Sequence, residues 1–282
     1  MSQDQATPAP AAEQGSRNLW LRVAAAAVMA PLAVGIAYLG GWPWALLGTA
    51  VAIGLFLEWL SIVGAARDFR VLVIGCLALA VCGIGLMFDK PGPALLAAVL
   101  GVGGLLVLND QPRQWTATGL GYAAVALIAS VLIRRDPDYG FVALVLIFLI
   151  VWGTDIGGYF AGRGIGGPKL WPRVSPKKTW AGAIGGLLIS LAVALGFALA
   201  GYGKLLPFLI LAAVLSTVSQ LGDLFESAVK RRFGVKDSSH IIPGHGGLLD
   251  RLDGYVAAVA LAVLIGMARD SVDGIGRGLM VW

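Results

Sequence analysis

Between Gln220 and Asp253 the chain gathers carboxylates, cations, both of its histidines and a run of glycines into one span bounded by apolar sequence. Asp223, Glu226, Ser227 and Lys230 come first, at spacings i, i+3, i+4 and i+7 that place them on one face of a helix. Asp250, Arg251 and Asp253 follow at the start of the next apolar segment, and Asp250 and Asp253 again share a face. Carboxylates from two adjacent helix ends can converge on a divalent cation. Mg²⁺ takes one or two carboxylates and leaves the rest of its shell to water and phosphate oxygens. The plain alternative for the first cluster is a solvated helix end with local ion pairs. Its position partly within membrane depth favours function, because carboxylates there are costly. Helix capping accounts for Asp250 and, less well, for Asp253.

Lys236, Asp237 and the run Pro243-Gly244-His245-Gly246-Gly247 lie between these clusters. Glycines let the backbone approach a ligand closely, and successive N–H groups can cradle phosphate. Gly246 and Gly247 are therefore candidate phosphate contacts, although such a run also suits a plain turn. No G-x-x-x-x-G-K-[ST] loop is present. His240 and His245 lack the Cys or further His partners of a zinc site, so His245 is assigned to phosphate or proton handling. Upstream, Asp155 stands among Gly153, Gly157 and Gly158 in an apolar segment, where an isolated carboxylate either bonds a neighbouring helix or serves a site. The stretch after it, from Gly162 to Thr179, is glycine-rich and basic. Ser175, Lys177 and Lys178 at its end suit a triphosphate or an anionic headgroup, and an ordinary positively charged loop is the bland reading.

The elements that must position these groups are membrane helices. Of the 282 residues, 58% are hydrophobic and only 13% charged, about half the charge of a typical soluble domain. Mean hydropathy is +0.82, and the 40 glycines suit closely packed membrane helices. The fold class is all-α, a polytopic membrane protein. The two cysteines, Cys76 and Cys82, point away from each other on one helix and serve packing. A net charge of +5 points to cytoplasmic loops and anionic headgroups, and no nucleic-acid-binding pattern is visible.

Residues 1–18 read as a disordered cytoplasmic tail. About nine apolar segments follow, near Leu19–Leu39, Trp44–Gly64, Val71–Phe88, Ala94–Leu108, Ala117–Ile133, Phe141–Phe160, Trp180–Ala200, Leu205–Val229 and Leu249–Ala268. Lys and Arg concentrate on one side if the N-terminus is cytoplasmic and the C-terminus on the far side; Arg134 and Arg135 are the local exception. The organisation is then a tail, N-terminal transmembrane helices over 19–133, and a C-terminal catalytic transmembrane domain over 134–282. The cytoplasmic loops 161–179 and 230–248 hold much of the chemistry.

Taken together, Ser227-x-Val229-Lys230-Arg231, Lys236-Asp237-x-Ser239 and Ile242-Pro243-x-His245-Gly246-Gly247-Leu248-x-Asp250-Arg251-Leu252-Asp253 resemble the C-terminal motif of the phosphatidate cytidylyltransferases, or CDP-diacylglycerol synthases. Gly222-Asp223-Leu224-Phe225-Glu226, the Asp155 helix and Ser175-Pro176-Lys177-Lys178-Thr179 match as well, so the likeness covers about 152–253. One position departs: Ala181 stands where the family usually has Glu. The resemblance implies transfer of the cytidylyl group of CTP to phosphatidate, giving CDP-diacylglycerol and pyrophosphate. It also implies one or two Mg²⁺ ions with room for a monovalent cation, a homodimer, and a bacterial inner-membrane setting with the site facing the cytoplasm.

On that reading Asp223 and Asp250 hold Mg²⁺, with Asp253 and Glu226 beside them. Lys230, Arg231, Lys236 and Arg251 neutralise phosphate. Lys177 and Lys178 bind triphosphate or headgroup, with Ser175, Ser227, Asp237, Gly246 and Gly247 as further substrate contacts. Asp155 and His245 orient ligands. Two rival classes remain at this stage. A CTP-dependent polyprenol kinase would transfer the γ-phosphate instead. A transporter would use Asp155 and Asp223 within the membrane, but no inverted repeat is seen.

Overall fold

A computed structural model describes residues 28–108, 113–236, 238–239 and 246–282. The chain there is almost entirely helical: α1 (Val28–Leu39), α2 (Gly41–Ile62), α3 (Phe69–Met87), α4 (Pro91–Leu108), α5 (Arg113–Arg135), α6 (Gly140–Gly164), α7 (Trp180–Leu199), α8 (Leu205–Arg232), α9 (Leu249–Arg269) and a short α10 (Ile275–Met280). Over the described residues each apolar segment expected from the sequence overlaps one of α1–α9; the expected tail over 1–18 and the start of the first segment, 19–27, lie outside them. Seven of them, α2, α3 and α5–α9, are long and apolar enough to cross a membrane, whereas α4 and the described part of α1 are shorter. The protein is an all-α, multi-pass membrane protein.

Local sequence sets where the helices begin. Asp68 caps α3 by accepting hydrogen bonds from Arg70 N and Val71 N. Thr179 does the same for α7, its Oγ1 accepting from Gly182 N at 3.1 Å. The stretch 161–179, expected as a glycine-rich loop, holds regular structure. Helix α6 runs on to Gly164, and an antiparallel hairpin follows, β1 (Lys169–Trp171) and β2 (Ser175–Thr179), paired Lys169 to Thr179 and Trp171 to Ser175. A turn bond from Val174 N to Trp171 O closes the hairpin, and one from Trp180 N to Pro168 O ties it to α7. The glycines had masked this order, because Gly166 and Gly167 have positive φ just before the strand and act as a corner.

Around the site the helices pack through small residues. A Cβ at Gly157 on α6 would sit 2.7 Å from the carbonyl oxygen of Gly185 on α7, so the two backbones touch there. One turn away Thr154 Oγ1 lies 2.7 Å from Ser190 Oγ and 2.8 Å from Ser216 Oγ, a buried hydroxyl knot joining α6, α7 and α8. Helices α5 and α9 are joined by Ser130 Oγ and Tyr255 Oη, 2.8 Å apart.

Candidate active site

Four helix ends meet at one end of the bundle: the C-terminal ends of α6 and α8 and the N-terminal ends of α7 and α9. With the hairpin they enclose a cavity of about 630 Å³. Its wall carries four carboxylates, Asp155, Asp223, Asp250 and Asp253, and five cations, Arg163, Lys177, Lys178, Lys230 and Arg251. The sequence places them by simple means. Thr179 turns strand β2 into α7, so Lys177 and Lys178 arrive just ahead of a helix N-terminus. The last turn of α8 carries Lys230, Arg231 and Arg232 at its negative end.

Within the cavity the charges are layered. Lys178 is ion-paired with Asp223, which also accepts a long hydrogen bond of 3.4 Å from Ser227 Oγ. Lys230 Nζ lies 2.6 Å from both Glu226 Oε2 and Asp250 Oδ1. Asp250 Oδ2 accepts from Ser238 N at 3.2 Å and Gly247 N at 3.0 Å, and the Ser238 hydroxyl oxygen lies 3.0 Å away. Asp250 thus ties the segment before α9 to α8. Asp253 is anchored through Gly254 N at 2.7 Å. The charges of Asp155, Asp223 and Asp253 act on one another, with Lys178 and Arg251 opposing them at Asp155.

Of the residues singled out from sequence, Asp155, Lys177, Lys178, Asp223, Lys230, Asp250, Arg251 and Asp253 line this cavity. Ser175, Glu226, Ser227, Arg231, Lys236, Gly246 and Gly247 are not among its lining residues. Glu226 is buried behind Lys230, and Arg231 donates to Val235 O at 3.3 Å. Asp237, His240 and His245 lie outside the described residues. The shared face of α8 is therefore divided: Asp223 and Lys230 reach the cavity, and Ser227 and Glu226 support them.

Sequence reasoning gave no role to Thr154, Tyr159 or Gln220, which also line the cavity, and passed over Glu58 altogether. Glu58 lies on α2 and bonds the residues that open α9. Its only sequence signal was a carboxylate within an apolar segment, Leu57-Glu58-Trp59.

Among the described residues no three His, Cys, Asp or Glu side chains form a metal-ion cage. The oxygen-only donor set nevertheless suits Mg²⁺, which needs one or two carboxylates when phosphates complete its shell. Asp223 and Asp250 both line the cavity, and Asp250 Oδ1 accepts a hydrogen bond from Lys230 Nζ.

Such a cavity, with carboxylates facing cations at the ends of membrane helices, defines an enzyme that handles phosphate groups at a bilayer surface. The chain belongs to the cytidylyltransferase family, whose model matches residues 20–268. It is 42% identical over 257 residues to the phosphatidate cytidylyltransferase of Brucella suis biovar 1, covering 88% of this chain and 93% of that one. It is 36% identical over 254 residues to the protein of the same name from Pseudomonas aeruginosa, covering 84% and 93%. With that of Haemophilus influenzae it shares 48% identity over 131 residues, covering 44% of this chain and 46% of that one.

Proposed function

We propose that the chain transfers the cytidylyl group of CTP to phosphatidate, forming CDP-diacylglycerol and pyrophosphate. The observation that carries the reading is the cavity wall, where Lys177, Lys178, Lys230 and Arg251 face Asp155, Asp223, Asp250 and Asp253 at the end of a membrane bundle. A phosphate oxygen of phosphatidate attacks the α-phosphorus of CTP, the bond from that phosphorus to the bridging oxygen breaks, and pyrophosphate leaves with the electron pair. Neither substrate needs an enzyme nucleophile, so the protein contributes position and charge.

Lys177 and Lys178, on the hairpin, sit where a triphosphate can displace Lys178 from Asp223. That exchange exposes the Asp223 carboxylate as the nucleotide enters. Lys230 is held by Glu226 and Asp250 and presents fixed positive charge to the reacting phosphates. Arg251 adds charge from the first turn of α9. Asp223 and the Oδ1 edge of Asp250 would hold Mg²⁺, with Asp253 beside them. Bound there, the ion supplies charge neutralisation at the phosphoryl oxygens. The diacyl chains stay in the bilayer, and the site opens to the cytoplasm of a bacterial cell at its inner membrane.

The test is incubation of the purified protein with Mg²⁺, phosphatidate and CTP labelled separately at the α- and γ-phosphates. The expected result is α label in the lipid and γ label in pyrophosphate. Transfer of γ label to an added lipid alcohol would replace this reading with that of a lipid kinase. No transfer of either label by folded protein would remove it.

A further inference from the structure

Glu58 stands in the middle of the sequence assigned to the N-terminal helices, yet its side chain belongs to the other end of the chain. It is 1% exposed. Oε1 accepts from Ser239 Oγ at 2.6 Å and Leu248 N at 2.8 Å, and Oε2 accepts from Ser238 Oγ at 3.0 Å and Leu249 N at 2.8 Å. These four donors use the lone pairs of a carboxylate fully. Two are first-turn amides of α9, which have no partner within the helix, and an acidic group there also faces the positive end of the helix dipole.

Ser238 links this carboxylate to the cavity. Its hydroxyl lies 3.0 Å from both Glu58 Oε2 and Asp250 Oδ2, and its N–H donates to Asp250. Asp250 in turn holds Lys230, and Lys230 holds Glu226. A continuous polar chain therefore runs from α2 through Ser238 to the start of α9 and the end of α8. Gly247 completes the fit, because a Cβ there would collide with Ser238 Oγ and come within 2.5 Å of Glu58 Oε2.

We infer that Glu58 is a positioning residue for the reaction: it fixes the first turn of α9, and through Ser238 it fixes Asp250 and Lys230 against the substrate phosphates. The inference rests on the cytidylyl-transfer reading and deepens it. Glu58 touches no substrate, because it does not line the cavity. Glutamine at this position would keep the shape but present its amide N–H groups to two of the four donors, so the α9 turn would shift.

The decisive variant is Glu58→Gln in the full chain, measured per folded molecule after size-exclusion chromatography. Displacing a site by about 1 Å costs on the order of 100-fold in rate, so kcat falls by about that factor while KM for CTP and phosphatidate stays within about threefold. Ser238→Ala also lowers kcat, and the double variant loses no more than the worse single one, because both act through one chain. Asp136→Asn serves as the comparator. Asp136 is equally buried and accepts from Asp138 N, Tyr139 N and Arg277 N at the other end of the bundle, so its loss lowers stability and leaves kcat unchanged. An unchanged kcat in Glu58→Gln, additive losses in the double variant, or an equal kcat loss in Asp136→Asn would each overturn the inference. If the wild-type protein transfers no label, the functional reading fails and amide hydrogen exchange decides the positioning question separately. Faster exchange over residues 246–256 in Glu58→Gln upholds the role of Glu58, and unchanged exchange removes it.

Discussion

The two ends of the bundle hold cavities of similar size, about 630 Å³ at the candidate site and 580 Å³ at the opposite end, yet their charged linings differ. At the opposite end, Arg134 donates to the carbonyls of Ala37 and Tyr38, and Arg135 is bound to Asp89 and Asp273. Those cations join elements, and their acidic partners are open to water; Asp273 keeps 76% of its side chain exposed. Pairs of that kind contribute about 0–1 kcal/mol each. At the site end, Lys230 is 11% exposed and sits between two carboxylates, and four carboxylates and five cations face one enclosed space. Volume does not separate the two regions. What separates them is the number of charges on the wall: four carboxylates and five cations at the site end, against Asp89, Asp273, Arg134 and Arg135 at the other.

The sharpest way to break the comparison is to remove charged side chains from each end. Asp223→Asn is expected to lower cytidylyl transfer by on the order of 10³-fold with the protein still folded, because on the proposed reading Asp223 would hold the Mg²⁺ that neutralises the phosphates. Turnover and size-exclusion profile measured together check it. Lys178→Met comes next, at about 100-fold. Its loss appears mainly as a raised KM for CTP if Lys178 grips the triphosphate, which a substrate titration reads.

Ala181→Glu sharpens the site boundary. Gly182 and Ala183 line the cavity and Ala181 does not. A carboxylate in the first turn of α7 suits the dipole, so turnover should stay within about twofold. At the other end, Arg135→Gln should leave turnover intact and cost at most about 1 kcal/mol of stability, seen as a small fall in Tm.

The smallest effect concerns Asp270. The Arg277 guanidinium and the Ser271 amide hold its carboxyl down at about 2. A depressed carboxyl stabilises the fold above its ordinary range near 3.8 and loses that contribution as pH falls towards 2. The Tm deficit of Arg277→Gln should therefore be constant above about pH 5 and shrink on acidification.

Much of this arrangement could be read in the chain itself. Hydropathy located the seven described helices that are long and apolar enough to cross a membrane, because such a helix needs a long apolar run whatever it packs against. The spacing of Asp223 and Lys230, and of Asp250 and Asp253, was enough to predict that they belong together, since helical periodicity is local. The hairpin was not legible. Its strands are three and five residues long, and the glycines that shape its corner resemble those of a flexible loop. Glu58 was missed for a different reason. Its partners lie about 180 to 190 residues away, and nothing local distinguishes a carboxylate that caps a distant helix from one that merely interrupts an apolar segment. Asp250 lies in the first turn of α9 and lines the cavity, yet its Oδ2 bonds Ser238 and Gly247 ahead of the helix and no amide of α9 itself.

The contact of α6 with α7 through Gly157 and Gly185 bears on how this enzyme can be redesigned. Where two backbones touch, there is no side chain to shorten or reshape, and any substitution forces the helices apart. The α6–α7 contact itself therefore offers no graded steps towards a larger or smaller headgroup. Evolvability is concentrated instead where side chains do the lining, on α6 at Tyr159, on α8 at Gln220 and on the hairpin at Leu170. A library aimed at new acceptor lipids would begin at those three positions and leave the glycines alone.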